Sequence, residues 1–219
     1  MTTLATMRTR IADELELSGG GAEIPARLID AEILSAIRHY ETDRMRWNEA
    51  QHSKVATTTA ATRIYTFSAS WLKFDAIKIV DNGSYIPLKL KTWAEIEDMD
   101  LDESGSESTP TCYAIHSNTV RLYPVPDGPY TLIGSGVRRL TELSGDTDTN
   151  GWMTYGEELI RARARASIRI NLLGDARSKA ELAVVRNPFL SAQEERAYSM
   201  MRDETLDALA TRRIRPYAI

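Results

Sequence analysis

The stretch GEELIRARARASIRINLL (156–173) decides the architecture. Its alternation of arginine and alanine admits a strand with arginines on one face. The other face would then be Ala162, Ala164 and Ala166, and alanine is a poor strand former. Alanine and arginine are both good helix formers, so the composition predicts a helix. At about 100° per residue, Arg161, Arg165 and Arg169 form one stripe and Arg163 points elsewhere. Leu159, Ala162, Ala166, Ile170 and Leu173 make an apolar arc beside the stripe, with Ile168 and Leu172 on its other edge. Apolar groups on both sides of a basic stripe imply more than one neighbour, as in an oligomer. Glu157 lies four residues before Arg161 and Glu158 three before it, so both can supply counter-charge. Salt bridges within or between subunits are the favoured reading of the stripe, with a face toward DNA or a partner as the alternative.

With this stretch helical, both ends of the chain read as helices. At the C-terminal end the pattern gives one helix over about 153–173 and a second over 175–185. Asn187-Pro188 breaks the second, and a third runs from about Ser191 to Ala210. Ser191 and Glu194 have capping-box spacing. The tail TRRIRPYAI (211–219) shows no helix pattern. At the N-terminal end, Thr2 or Thr3 can cap a helix carrying Leu4, Met7, Ile11 and Leu15, stopped by SGGG (18–21). A second helix begins at Pro25 and runs to about Trp47, with Leu28, Ile29, Ile33, Ala36, Ile37 and Tyr40 on or near one face.

Between them the period changes to two. RIYTFS, FDAIKIV and YIPLKL read as strands, the last two joined through Asp-Asn-Gly-Ser (81–84), a type I′ hairpin signal. Pro87 should lie on an edge strand or a bulge. TWAEIEDM reads as a short acidic helix and DESGSESTP (102–110) as a mobile polar loop. TCYAIH, TVRLYPVPDGP and YTLIGSGVRRL supply three more strands. Gly134 and Gly136 suggest a bulge or a close backbone approach. The fold class expected is α+β, a helical bundle formed by N- and C-terminal helices with an inserted antiparallel β-domain. The divisions expected are 1–50, 51–150, 151–210 and a tail at 211–219.

The 219 residues are 42% hydrophobic and 26% charged, as in an ordinary globular protein. The formal net charge of −4 argues against a free-standing nucleic-acid binder. Charge is uneven: 161–219 holds 12 Lys/Arg against 7 Asp/Glu, leaving 15 against 24 in 1–160. Seven of those acids lie in 95–107. Such polarity suits ordered contacts between subunits or partners, and a solvated surface explains it as well. The single cysteine, Cys112, permits no disulfide within the chain, so a reducing compartment is expected. No signal-peptide pattern and no membrane span are expected.

No catalytic pattern stands out. His39, His52 and His116 lack ligand spacing, and His39 should border the packed face of its helix. GSGVRR (134–139) resembles a phosphate loop but sits inside a strand pattern, and backbone geometry is the favoured explanation. DTDTNG (146–151) with Glu157 is a partial EF-hand match; an Asx-rich turn capping the next helix is the favoured reading. The acidic run at 95–107 is expected to be solvated, with cation coordination or a basic partner as the alternatives.

The middle of the chain carries Pro110 and Tyr113, then Leu122, Tyr123, Pro124 and Pro126, then Tyr130 and Leu132, and finally Asn150, Trp152 and Met153. In this order and spacing the segment resembles the head-to-tail adaptor proteins of tailed bacteriophages. LATMRTRIADELELSGGGAEIPARLIDAEILSAIRHYETDRMRWNEA resembles the opening helices of that family. GSGVRR departs from it, replacing a more regular strand that ends in aromatic residues. The resemblance implies a virion structural protein, made in the host cytoplasm, without enzymatic activity or cofactor. It implies a ring of about twelve subunits beneath the portal protein that extends the DNA channel and offers a platform to tail or nozzle proteins. Double-stranded DNA would pass without sequence-specific binding, and no membrane is involved. The C-terminal segment would reach the portal, with Arg212, Arg213 and Arg215 making ionic contacts and Tyr217 and Ile219 acting as apolar anchors. Arg161, Arg165, Arg169, Glu157 and Glu158 would lie at a ring interface or the channel. A tail-tube or tail-completion protein would share the lack of chemistry but should be mainly β. A calcium-binding or DNA-binding module is the remaining alternative.

Overall fold

The structure, a computed structural model, describes residues 1–15, 24–102, 107–174 and 189–213. The SGGG stop, the helix expected at 175–185, its Asn-Pro break and residues 103–106 of the loop at 102–110 lie outside the described residues. The fold is α+β, with six helices and two four-stranded sheets among the described residues. The chain divides into two compact units, 1–48 with 140–219, and 49–139.

The first unit is helical. Thr3 caps α1 (Leu4–Glu14) by accepting from Thr6 N–H at 3.3 Å, and Leu4, Met7 and Ile11 are buried. Pro25, with φ of −56°, leads into α2 (Ala26–Tyr40), whose buried stripe is Ile29, Ile33, Ala36, Ile37 and Tyr40. Leu28 lies off that stripe and is exposed. The second helix stops at Tyr40, not Trp47. Buried Asn48 organises the turn that follows: its side chain accepts from Met45 N–H at 2.8 Å and donates to the carbonyls of Glu41 and Asp43. Asparagine competes with a helix in this way, by offering the backbone other partners.

The helix expected at 153–173 is two. Asn150 caps α4 (Gly151–Thr154) by accepting from Trp152 and Met153 N–H, and α5 (Glu157–Asn171) starts after Gly156. The last helix, α6 (Ala192–Arg213), runs three residues past Ala210 into the segment read as tail. Helix α5 packs against α1, α2, α4 and α6. One core serves this unit, and Met7, Ile33, Tyr40, Trp152, Leu159 and Ile168 are fully enclosed in it. Residues from both ends of the chain thus bury one another.

The second unit is a pair of sheets. The first has order β1-β8-β3-β4, from β1 (Glu49–Thr57), β3 (Trp71–Asp81), β4 (Ser84–Pro87) and β8 (Thr131–Arg138), all antiparallel. The second has order β2-β7-β6-β5, from β2 (Ile64–Thr66), β5 (Lys89–Leu90), β6 (Cys112–His116) and β7 (Thr119–Tyr123). Its β5–β6 pair is parallel, so this sheet is mixed. Ile77, Ile79 and Leu132 of the first sheet share a core with Tyr113, Val120 and Leu122 of the second. The short acidic helix α3 (Trp93–Asp102) buries Ile96 against Cys112, Ala114 and Tyr123.

The Asp81–Ser84 turn closes the β3–β4 hairpin, with Asn82 at φ 47° and Gly83 at φ 83°. Both are positive, as a type I′ turn requires. Pro87 lies on an edge strand. The return strand expected at 85–90 breaks there. Leu88 N–H still donates to Ile77, but Lys89 N–H donates to Thr111, so the chain passes from one sheet to the other. Strand β1 has no counterpart in the sequence reading. Its polar run EAQHSKVAT shows no clean alternation, and its pairing with β8 supplies the strand.

GSGVRR belongs to β8, which is central in its sheet. A Cβ on Gly136 would stand 2.0 Å from the Lys73 carbonyl oxygen, and one on Gly134 2.8 Å from the Phe74 ring. Gly136 therefore serves a close backbone approach and Gly134 makes room for the side chains of Phe74 and Val55, and β3 shows register shifts beside them. Gly136→Ala should destabilise the protein by about 1–3 kcal/mol, the range for overpacking a tight interior. Gly128→Ala, with open space around the new Cβ, should stay within about 0.5 kcal/mol. Urea denaturation followed by tryptophan fluorescence separates the two.

Candidate functional site

Helix α5 carries the residues singled out in the sequence, and helical geometry sorts them as expected. Arg161 and Arg165, one turn apart, both reach Glu14 at the end of α1, at 3.2 and 2.7 Å. Arg165 also donates to Gln193 of α6. Arg163 points to another side, where it meets Glu194 of α6 at 2.7 Å and lies over the Tyr40 ring, 5.5 Å from its centroid. Arg169 is exposed and has no ion pair among the described residues.

The counter-charges therefore come chiefly from other helices of the same chain. Glu157 lies 3.9 Å from Arg161, a looser contact than Glu14 makes. Its carboxylate mainly accepts from Thr2 and Arg10, clamping the start of α1 to the start of α5. Glu158 is exposed and makes no ion pair among the described residues. Of the apolar groups flanking the stripe, Leu159, Ala162 and Ile168 are buried within the chain, Ala166 and Ile170 are half-buried, and Leu172 and Leu173, just past the end of the helix, are exposed. Over its buried positions, the two-sided pattern reflects a helix packed against α1, α2, α4 and α6 of its own chain.

Glu194 is the residue that sequence reasoning undervalued. It has no exposed surface. The capping box half-forms: Glu194 N–H donates to Ser191 Oγ at 3.2 Å, while the carboxylate accepts from Leu190 N–H at 2.6 Å in place of Ser191 N–H. Its other oxygen accepts from Arg163 and from the Tyr40 hydroxyl. Burial, then the neighbouring Glu194, raise the Tyr40 phenol well above its ordinary range, so it stays a donor. The capping box located Glu194 in the sequence, but nothing there paired it with Arg163 or Tyr40. Glu14 carried no signal at all.

The EF-hand-like stretch resolves into turn and cap contacts. Asp148 accepts from the N–H groups of Ser144 and Gly145, both at 2.8 Å, and these bonds lower its carboxyl. Asp146 pairs with Arg8 at 2.8 Å, Asn150 caps α4, and Glu157 holds Thr2 and Arg10. The four candidate ligands thus face separate partners. The histidines lie apart, each against an aromatic ring: His39 on Tyr40, His52 on Tyr85 and His116 on Trp93. In α3, Glu97 and Asp100 pair with Arg121, and Asp100 with Arg63, so part of the acidic run is neutralised within the second unit.

Of the suspected portal contacts, Arg212 and Arg213 form the end of α6, with side chains outside what the structure describes. Arg215, Tyr217 and Ile219 lie outside the described residues. No described helix is long and apolar enough to cross a membrane.

Comparison with known proteins gives one family: the family model described as SU10 adaptor protein matches residues 2–217. No curated protein matches the chain.

Removing one partner of a buried ion pair strands the other, at about 3–5 kcal/mol. Glu194→Ala should fall in that range by urea denaturation, while Arg169→Ala should stay within about 0.5 kcal/mol. Acid should also weaken the fold. In Glu157 burial pushes the carboxyl up, but bonds from Thr2 and Arg10 outweigh it and lower it. Glu95 is held down to about 2 from 4.5, chiefly by the Thr92 N–H. Groups with depressed folded-state values stabilise above their unfolded values, and that contribution fades as pH falls through the folded ones. The melting temperature should therefore be flat above about pH 5 and decline through the window from 4.5 to about 2, as read by circular dichroism.

Proposed function

The chain belongs to the SU10 adaptor protein family, and on that premise we propose that it is a head-to-tail adaptor that forms a ring beneath the portal. Family membership makes it a phage structural adaptor, a virion component that meets other head and tail proteins. The finer reading is that the ring, of about twelve subunits, extends the DNA channel and offers tail proteins their platform. In this role the protein acts by assembly and positioning, without catalysis.

The observation that carries the mechanism is the neutralisation of the arginine helix. Arg161, Arg163 and Arg165 all have carboxylate partners within the chain. A channel wall must let DNA slide, and each free cation that binds phosphate adds to affinity through counterion release. An arginine helix already paired to Glu14 and Glu194 gives a rigid wall with little hold on phosphate. Exposed Arg169 is the member of the stripe that remains open to the channel or to a neighbouring subunit. On the same reading, Arg212, Arg213 and Arg215 make ionic contacts to the portal, and Tyr217 and Ile219 anchor there. The helices of the two chain ends act together as a bundle that carries this contact.

Mixed with its portal protein, the purified chain should form rings of about twelve copies by negative-stain electron microscopy. Deleting residues 211–219 should abolish portal binding while leaving the melting temperature within a few degrees. A chain that stays monomeric with portal present overturns the adaptor ring. Retention on DNA at physiological salt, with a steep salt slope, would overturn the sliding channel.

A further inference from the structure

We infer that an arginine-flanked cleft on the helical unit receives the acidic helix α3 of a neighbouring copy, with Leu101 as the inserted side chain. The inference rests on the ring reading above and names its subunit contact. The cleft lies between the turn after α2 and one face of α6, with a volume of about 320 Å³. Met45 and Leu206 give it apolar surface, and Arg44, Arg202, Asp43 and Tyr198 give it polar groups. Leu206 is 52% exposed although it lines the cleft. The Tyr198 hydroxyl donates to Asp43, and the two arginines outnumber this one carboxylate in the cleft lining. Arg202 is exposed on the α6 face that lines the cleft.

The chain carries a matching projection. Leu101 is 81% exposed, the highest of any large apolar side chain among the described residues after the N-terminal Met1. Helical spacing puts Asp98 and Leu101 on the same face of α3. That face is opposite Ile96, which is buried in the sheet unit. Glu97 and Asp100 are used internally by Arg121 and Arg63, whereas Asp98 is exposed and has no partner among the described residues. An exposed leucine beside an unpaired carboxylate matches a partly apolar cleft beside an exposed guanidinium. The imbalance of the whole chain, basic over 161–219 and acidic before it, has the same sense. Because the two surfaces differ, the contact is head-to-tail, the type that closes into a ring when the rotation allows.

Charge reversal tests the pairing: Arg202→Glu, Asp98→Arg and the double variant, each assembled with portal and read by mass photometry. Leu101→Asp is a fourth sample. Thermal melts confirm that each variant folds, since all three sites are on the surface. Like charges placed opposite one another should raise the concentration needed for half-assembly roughly tenfold or more in each single variant. The double variant should return to within about threefold of the parent. Leu101→Asp should assemble as poorly as the single reversals. Parent rings with single variants that assemble normally would overturn this contact and leave the ring reading intact. A double variant no better than the singles would also overturn it. A parent chain that forms no ring with portal would overturn the ring reading itself.

Discussion

A carboxylate with no exposed surface constrains the helical unit. Taking Glu194 out of water costs several kcal/mol, and attraction to a partner offsets this when the remaining lone pairs are also satisfied. Here Arg163, the Tyr40 hydroxyl and Leu190 N–H all donate to it. These donors come from α5, α2 and the segment leading into α6, so the requirement can be met only when residues from both ends of the chain meet. Apolar contacts alone would tolerate a helix that slips by a turn or rotates. A buried charge with three donors tolerates neither, because a slip leaves both Arg163 and Glu194 uncompensated. The core around Met7, Ile33, Trp152 and Leu159 then packs in a setting already fixed in register.

The same logic explains why α5 is arginine-rich without being basic in effect. It is the helix with the most neighbours in its unit, against α1, α2, α4 and α6. A central helix cannot be polar on one full side, so its polar residues must lie along the seams between neighbours. Arginine suits a seam: its stem packs against apolar surface and its head reaches a carboxylate on the next helix. Arg161 and Arg165 fill the seam to α1, and Arg163 the seam to α2 and α6.

Local signals in the sequence were reliable wherever the cause was local. Thr3 and Asn150 cap helices through their own backbone neighbours, and Asn82-Gly83 turns because both residues accept positive φ. The glycines of β8 announce close contacts, although the carbonyl that Gly136 approaches, at Lys73, is sixty-odd residues away. What failed to show had distant causes. Strand β1 is a strand because β8 lies beside it, and a polar run has no alternation to reveal that. The end of α2 at Tyr40 depends on Asn48 folding back on the carbonyls of Glu41 and Asp43. The counter-charges of α5 were sought at i−3 and i−4, where helix geometry puts neighbours, but a helix with four helical neighbours finds its partners across the seams. Glu14 and Glu194 lie well over twenty residues from the arginines they neutralise, and no spacing rule spans that distance.

Separating internal from external charge sharpens what an adaptor surface can be. Cations already engaged inside the fold add little to phosphate affinity and little to subunit contacts. On the proposed ring reading, specificity between copies comes from the smaller set left over, such as Asp98, Arg169 and Arg202, all exposed. A few unpaired charges beside exposed apolar side chains suit a component that meets different neighbours on different faces. Surface elements of opposite charge favour head-to-tail contact over self-pairing, because matching an element with its own copy brings like charges together. A protein with its arginine helix unpaired would have the opposite character, with one dominant basic face and a strong hold on any DNA it met.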